Sequence, residues 1–115
     1  MTIERFEDVL AWQRARILTK EIYVTFRLTR DFGFRNQIEQ AAVSIMNNIA
    51  EGFERRSDKE FSNFLNIAKG SCGEVRSMVW LGRDLGYIDE TSSEKLITSA
   101  EEVSRLIAGF VASLR

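Results

Sequence analysis

The stretch that decides the fold is residues 48–60, which reads NIAEGFERRSDKE. An apolar helical run is predicted to end in it at Gly52, because a residue without a Cβ adopts the left-handed conformation of a helix cap at little cost. A second run is predicted to begin after Ser57. Glu60 completes a capping box, in which the serine oxygen accepts from a first-turn N–H and the glutamate accepts from the N–H of the cap. The connector is too short for anything but a reversal, so the two helices should lie antiparallel.

The composition is that of one globular domain spanning residues 1–115, with 44% hydrophobic and 29% charged residues. Proline is absent, so long uninterrupted helices are possible. With no histidine and a single cysteine, Cys72, the sequence predicts no metal site, no cofactor and no disulfide. Short apolar runs and an acidic beginning predict neither a membrane span nor a signal peptide, and hence a cytoplasmic protein. A net charge of −1 favours no class of partner.

Apolar residues that recur every three or four positions predict four helices. The helices cover approximately residues 7–29, 35–51, 58–84 and 91–113. Short connections between them predict an all-α fold, an up-down-up-down antiparallel four-helix bundle. Gly33 is predicted to be a turn residue in the first connection, and Gly86 to end the third helix. Either Asp89 or Thr91 is predicted to cap the fourth.

The third predicted helix is apolar on two sides, so it is either the central helix or a contact between subunits. One seam runs from Phe61 to Val79. The second seam comprises Phe64, Ile67, Ser71, Met78 and Leu81. Glu74 falls on this second seam, where an unpaired buried carboxylate costs several kcal/mol, so a structural partner is predicted for it rather than a place in a functional cleft. Gly70 and Gly73 predict close packing against another helix.

These residues stand in the order found in one protein family. The chain resembles the bacterial 23S rRNA intervening-sequence proteins over residues 6–88, and the run from Asn48 to Gly52 with the following Ser/Lys/Glu/Phe cluster carries most of the resemblance. The family motif implies structural roles for Asn48, Glu51, Gly52, Ser57, Glu60, Ser71 and Glu74. Asn48, read from its position alone, either bonds nearby backbone or has a functional role.

The resemblance also implies an assembly and partners. It implies that the bundle forms a barrel-like homopentamer. The family is similar to the accessory proteins of diversity-generating retroelements, which bind nucleic acid and reverse transcriptase. The implied partners are therefore further copies of the chain, RNA or DNA, and a nucleic-acid enzyme.

The first functional hypothesis is a non-enzymatic RNA or ribonucleoprotein binder. Arg55, Arg56 and Lys59 lie at a helix N-terminus, where free N–H groups and the helix dipole favour phosphate. Basic residues of the first helix add a stripe, comprising Arg14, Arg16, Lys20 and Arg27. The competing interpretation is that neighbouring glutamates pair with Arg55 and Arg56 and neutralise them.

The second hypothesis is a protein-interaction scaffold without nucleic-acid binding. In that case Trp12, Met78 and Trp80 would anchor a partner, as exposed aromatic residues often do. An enzyme has little support, because Glu51 and Glu74 are the only candidate carboxylate pair and no nucleophile or metal signature accompanies them. The protein is therefore predicted not to be an enzyme.

Overall fold

The computed structural model of the chain describes residues 3–114 and contains four α-helices. They are α1 (Leu10–Phe26), α2 (Phe32–Phe53), α3 (Asp58–Asp84) and α4 (Glu90–Ser113). A short 3-10 turn, Phe6–Asp8, precedes α1. Each helix packs on the next and α4 packs on α1, while no contact joins α1 to α3 within the described residues, so these two are diagonal. The predicted all-α fold with four helices is confirmed.

The core consists of the seams that the periodicity predicts. All of the first α3 seam is buried, from Phe61 to Val79, and it meets the seam of α2 from Ile38 to Ile49. Cys72 lies in the middle of this core, and burial raises the pKa of its thiol to about 12. The thiol is therefore neutral near pH 7 and packs as a small apolar side chain.

The connection between α1 and α2 has the predicted length but lies three residues earlier in the chain, at residues 27–31. The first helix ends at Phe26 rather than near residue 29, and α2 begins at Phe32. The reason is Asp31, whose carboxylate accepts a hydrogen bond from the backbone N–H of Phe34 at 3.1 Å and so caps α2. Gly33 therefore lies in the first turn of α2, and its prediction as a turn residue is wrong.

Asp31 also ties the two connections at this end of the molecule together. The Tyr87 hydroxyl, which follows α3, donates to the Asp31 carboxylate at 2.8 Å. The hydrogen bonds from the Phe34 N–H and the Tyr87 hydroxyl lower the pKa of Asp31 below its ordinary value of 3.8. The same bond raises the pKa of Tyr87, because it stabilises the protonated phenol.

We expect Asp31 to make stability depend on acid pH. Its folded pKa is depressed, so its contribution is present above the ordinary value of 3.8 and is lost as the pH falls through the lower folded value. Asp31→Ala should lower the melting temperature at neutral pH, and should reduce the further loss on acidification. Thermal unfolding followed by circular dichroism from neutral to strongly acidic pH measures both. Asp84→Ala, which removes another exposed carboxylate, is the control, and an equal acid response in both variants would contradict the assignment.

The end of α3 agrees with the prediction for Gly86. Among residues 3–114, Gly86 alone has a positive φ, +76°. The Tyr87 N–H donates to the Gly82 carbonyl at 2.8 Å and the Gly86 N–H donates to the Arg83 carbonyl at 3.1 Å, which completes a Schellman cap. The cap of α4 is Asp89 rather than Thr91, because its carboxylate accepts from the Ser92 N–H at 2.7 Å.

The prediction for Gly52 is wrong in its reason. The helix α2 continues through Gly52 to Phe53, so this glycine is not a left-handed cap. A Cβ at Gly52 would lie 2.6 Å from the Cβ of Phe64 and 2.9 Å from Cδ1 of Phe61. Gly52 is therefore a point of close approach between α2 and α3, and the absence of a side chain permits that approach.

Two of the three glycines of α3, Gly70 and Gly73, show the opposite behaviour. A Cβ at Gly70 or Gly73 would have no neighbouring heavy atom within 4 Å. The predicted close packing of another helix on these two glycines is therefore wrong within a single chain, because their side of α3 is not covered by α2 or α4.

Candidate nucleic-acid interface

The connector between α2 and α3 presents the predicted phosphate-binding residues. Ser57 has extended backbone and its hydroxyl oxygen accepts from the Glu60 N–H at 3.2 Å, which fixes the start of α3. The Glu60 carboxylate accepts from the Ser57 hydroxyl at 3.3 Å. The serine half of the predicted capping box is thus present, whereas the glutamate bonds the serine side chain rather than its backbone.

The three basic side chains of the connector differ in their surroundings. Arg55, Arg56 and Lys59 are all exposed. Arg55 donates to the Glu51 carboxylate at 2.8 Å, and its guanidinium lies 4.9 Å from the centre of the Phe64 ring. Neither Arg56 nor Lys59 takes part in an ion pair within residues 3–114. The competing interpretation, neutralisation by a neighbouring glutamate, therefore holds for Arg55 and not for Arg56.

The charge around the connector is balanced rather than strongly basic. Residues 51–60 carry one more acidic than basic side chain. Asp58 and Glu60 occupy the first turn of α3, where they compete with a bound phosphate for the helix dipole. Attraction of phosphate to this end therefore depends on the positions of Arg56 and Lys59 and not on an excess of positive charge.

The basic residues predicted on the first helix are exposed, but they are engaged in different ways. Arg14 pairs with Glu102 of α4 at 3.2 Å, and the Arg16 guanidinium lies 5.7 Å from the centre of the Trp12 ring. Lys20 lines a groove between α1 and α4. For Arg27 the described contact is through its backbone carbonyl, which accepts from the Arg35 guanidinium at 3.0 Å.

The structure does not bring all seven predicted residues together. The Thr19 hydroxyl donates to the Ala42 carbonyl at 3.2 Å, which sets the level at which α1 and α2 lie side by side. The two helices run in opposite directions, so the α2–α3 connector lies near the beginning of α1. Arg27 is at the other end of α1, about 25 Å from Leu10 at ~1.5 Å per residue. Arg55, Arg56 and Lys59 thus form one basic trio from which Arg27 is remote, and the α1 residues are themselves divided, because Arg14 lies about 200° around the helix from Arg16.

Two further motif residues, Asn48 and Ser71, belong to a chain of hydrogen bonds that joins α2 to α3. The Asn48 amide donates to the Ser44 carbonyl at 2.8 Å and to the Ser44 hydroxyl at 3.0 Å. That hydroxyl lies 2.9 Å from the Ser71 hydroxyl. Of the two interpretations of Asn48, bonding to nearby backbone is therefore the one observed.

Glu74 has neither the burial nor the partner that the sequence predicts. It is exposed, and none of the ion pairs or side-chain hydrogen bonds of the described part of the chain involves it. The prediction is wrong because the second seam of α3 is covered only in part in the single chain: Ser71 is buried, whereas Ile67 and Leu81 are exposed, as Glu74 is. Exposure of Ile67, Leu81 and Leu85 on the same side supports this explanation.

A comparison with models of protein families gives a match that includes all of the residues just described. The model of the family described as 23S rRNA-intervening sequence protein matches residues 7–109 of the chain. The chain belongs to this family. The predicted resemblance is confirmed, and the match extends it into α4, beyond the residues that carried it.

The fold of this intervening-sequence protein is also that of a solved structure. The relative is a protein of unknown function from the S23 ribosomal protein family of Bacteroides thetaiotaomicron, with a TM-score of 0.82 and 22% sequence identity. The alignment covers 89% of this chain and 98% of that chain, and it shows a shared fold. The comparison with curated proteins gave no match.

A groove between α1 and α4 is a further possible binding site of the protein. The groove between α1 and α4 has a volume of about 520 Å³ and combines aliphatic and charged side chains, among them Ile17, Lys20, Val24 and Lys95. Across residues 3–114 no three His, Cys, Asp or Glu side chains are placed to hold a metal ion. Over the same range, no helix has both the length and the apolar character that crossing a bilayer requires.

An exposed apolar row on α1 was not anticipated from the sequence. We call Leu10, Ile17, Val24 and Leu28, the last lying just past the helix end, the α1 stripe. Its signal is the spacing of seven residues between the first three members. The sequence pattern predicts the buried seam from Ala11 to Phe26 and a second row of Trp12, Tyr23 and Phe26 beside it, and neither row contains these residues.

Proposed function

We propose that this protein is a non-enzymatic, homo-oligomeric scaffold of the cytoplasm that binds nucleic acid, RNA in particular, or a ribonucleoprotein. The observation that carries the proposal is the exposed trio Arg55, Arg56 and Lys59 at the N-terminus of the 27-residue helix α3. Free backbone N–H groups at such a terminus amount to about half a positive charge and favour phosphate. The family name, which refers to rRNA, supports RNA over other anions.

Phosphate binding at the trio requires little rearrangement. Arg56 and Lys59 are exposed and available as they stand. Arg55 would have to exchange Glu51 for phosphate, and exposed ion pairs of this kind contribute only about 0–1 kcal/mol. The Phe64 ring beneath the guanidinium holds Arg55 at the surface during the exchange. Contacts of this kind read the nucleic-acid backbone and give little discrimination between base sequences.

The proposed assembly is a homopentamer. Five copies around an axis would repeat the basic trio five times, so that several individually weak phosphate contacts would act on one nucleic acid together. The exposed apolar residues of α3 support association of this kind, because such a row is rarely left open to water in a monomer.

The test is binding of labelled structured RNA, single-stranded RNA and duplex DNA across a salt series from about 50 to 400 mM. We expect binding that weakens steeply with salt. In the variant with Arg55, Arg56 and Lys59 replaced by alanine, binding should be lost, and any residual salt slope should fall by about 0.7–0.9 for each phosphate contact removed.

A matched variant controls for net charge. Replacing Lys69, Arg83 and Arg105 with alanine removes the same number of positive charges from α3 and α4 and should leave most of the affinity. Flat, weak curves for all three nucleic acids with the unmodified protein would reject nucleic-acid binding. Equal losses in both triple variants would reject the trio as its site.

A second candidate function is a scaffold that holds a protein partner, such as a nucleic-acid enzyme, without itself binding nucleic acid. The observation in its favour is Trp80, which is 50% exposed and has the Arg83 guanidinium 5.4 Å from its ring centre. Trp12 and Met78, the other predicted anchors, are half-buried, and Trp12 packs edge-on against Phe6. Under this function Trp80→Ala abolishes partner capture, and the alanine variant of the trio does not.

A further inference from the structure

A small cleft between α3 and α4 brings together polar side chains that have few partners. It has a volume of about 190 Å³ and is lined by Arg76 of α3 and by Glu101, Ser104 and Arg105 of α4. That volume is several times the space that one water molecule needs. The cleft lies apart from the basic trio, since Arg76 is 17 residues along α3 from Lys59, about 26 Å at ~1.5 Å per residue.

Arg76 has the least satisfied side chain of the four. Its Nε is shielded from water, and among residues 3–114 it is the one buried side-chain nitrogen or oxygen without a hydrogen-bond partner. Its Nη1 lies 3.9 Å from the Glu101 carboxylate, which is an ion pair but too long for a hydrogen bond. The edge of the guanidinium formed by Nε and Nη2, which can donate two parallel bonds to one oxyanion, is therefore unoccupied.

The α4 side of the cleft adds two donors without acceptors. Arg105 is exposed and takes part in no ion pair of the described residues, although Glu101 precedes it by four positions. The Ser104 hydroxyl likewise makes no hydrogen bond within that range. Two guanidinium groups and a hydroxyl thus border one space from two helices, with a single carboxylate among them. The cleft contains more donors than the chain provides acceptors for.

The arrangement of the donors favours a ligand of one shape. A carboxylate has two oxygens in one plane, which a single guanidinium can already satisfy. Donors that come from both α3 and α4 instead suit a tetrahedral oxyanion, whose oxygens point in several directions. Two arginines and one glutamate also give the cleft a net charge of +1, which favours an anion.

Glu101 restricts the ligand further. An ionised carboxylate only accepts hydrogen bonds, so it repels a fully ionised oxyanion and binds one that carries a proton. Inorganic phosphate retains an O–H near neutral pH, whereas sulfate and the phosphodiesters of nucleic acid have none. Glu101 therefore favours free phosphate over sulfate and over the backbone of RNA.

We propose that this cleft binds inorganic phosphate. Arg76, Arg105 and the Ser104 hydroxyl donate to its ionised oxygens, and the phosphate O–H donates to the Glu101 carboxylate. The Nε of Arg76 faces the ligand only after its guanidinium turns, and the side chain has room to turn because it is 42% exposed. Binding gives the unpaired donors their acceptors. The site is separate from the proposed nucleic-acid interface and does not depend on it.

The test is isothermal titration calorimetry of the full chain with sodium phosphate and with sodium sulfate, in a chloride buffer near neutral pH. We expect one phosphate per chain, and sulfate bound at least about tenfold more weakly because it leaves Glu101 without a donor. Glu101→Gln should remove this preference, since an amide can donate to sulfate. Arg105→Ala and Arg76→Lys should each weaken phosphate binding by about tenfold or more, the second although it keeps the charge.

Arg83→Ala is the matched control for the loss of a charge. Arg83 also joins α3 to α4, through an ion pair with Glu90 at 3.1 Å, but it does not line the cleft. Its substitution should leave phosphate binding unchanged, and circular dichroism should show folded helices in every variant. No phosphate binding up to about 10 mM, or sulfate bound as tightly as phosphate by the unmodified protein, would overturn the proposal.

Binding of RNA is a separate readout. The alanine variant of the basic trio should bind phosphate as the unmodified protein does, and Arg105→Ala should keep most of any RNA affinity. An RNA oligonucleotide that displaces phosphate, with binding of both lost in Arg105→Ala, would identify the cleft as a nucleic-acid contact and overturn the proposal. A protein that binds phosphate and no RNA would reject the proposed function and support the phosphate site.

Discussion

Replacing Gly52 with alanine should destabilise the fold by about 3 kcal/mol, at the upper end of what overpacking a core produces. The new Cβ would lie 2.6 Å from the Cβ of Phe64. That atom is fixed to the backbone of α3 and cannot rotate away, so α2 and α3 must separate along their contact. The Phe61 ring, 2.9 Å away, blocks the alternative of a sideways shift.

Urea unfolding of Gly52→Ala and of a matched glycine variant measures this effect. In Gly73→Ala the same atom enters open space on α3, where the gain in helix propensity should stabilise the protein by up to about 1 kcal/mol. The two substitutions thus have opposite expected signs for identical chemistry. Equal stabilities for both variants would show that α2 and α3 are not in close contact at Gly52.

The second large effect is expected for Phe34→Ala, at about 3–5 kcal/mol. Phe34 is only 6% exposed and stands at the beginning of α2. Its ring packs edge-on against Phe26 at 5.3 Å and against Tyr87 at 5.1 Å between ring centres. It therefore joins the end of α1 and the α3–α4 connection to α2, and its removal leaves a cavity between three elements.

Phe32→Ala is the control, since Phe32 lies two residues away and is 63% exposed. Its substitution should change the free energy of unfolding by no more than about 0.5 kcal/mol. Similar losses for Phe32→Ala and Phe34→Ala would mean that α2 begins with a different face toward the core, and the assignment of Asp31 as its cap would fall as well.

The buried seams could be predicted from the sequence because helical periodicity alone fixes which side of a helix is apolar. The helix end at Gly86 could also be predicted, since its local sequence specifies it. Gly52 shows what local sequence cannot predict. A glycine at a helix end and a glycine at a helix crossing look alike locally, and the residue that decides between them, Phe64, lies twelve positions away in the sequence. The conclusion that a glycine is required there was sound, while its reason was not.

Less of the candidate site could be predicted from the sequence, for a related reason. The positions of Arg55, Arg56 and Lys59 follow from the capping box, but whether each is paired depends on side-chain directions that spacing does not determine. The burial of Glu74 could not be predicted from the sequence either. An acidic residue on an apolar seam needs a partner only if its part of the seam is covered, and nothing in residues 3–114 covers Glu74. The α1 stripe is also present in the sequence pattern, but a seam from Ala11 to Phe26 and a second row of Trp12, Tyr23 and Phe26 already accounted for the apolar sides of that helix.

Because Cys72 is buried, the rate at which its thiol reacts measures how often the bundle opens. It is the single cysteine of the chain, and its thiol is inaccessible and held protonated in the middle of the core. A thiol reagent can reach it only in molecules whose helices have come apart, so the rate of labelling follows the population of open molecules rather than the chemistry of an exposed thiolate. In the native protein, without any substitution, the rate of thiol labelling thus measures how often α3 separates from its neighbours.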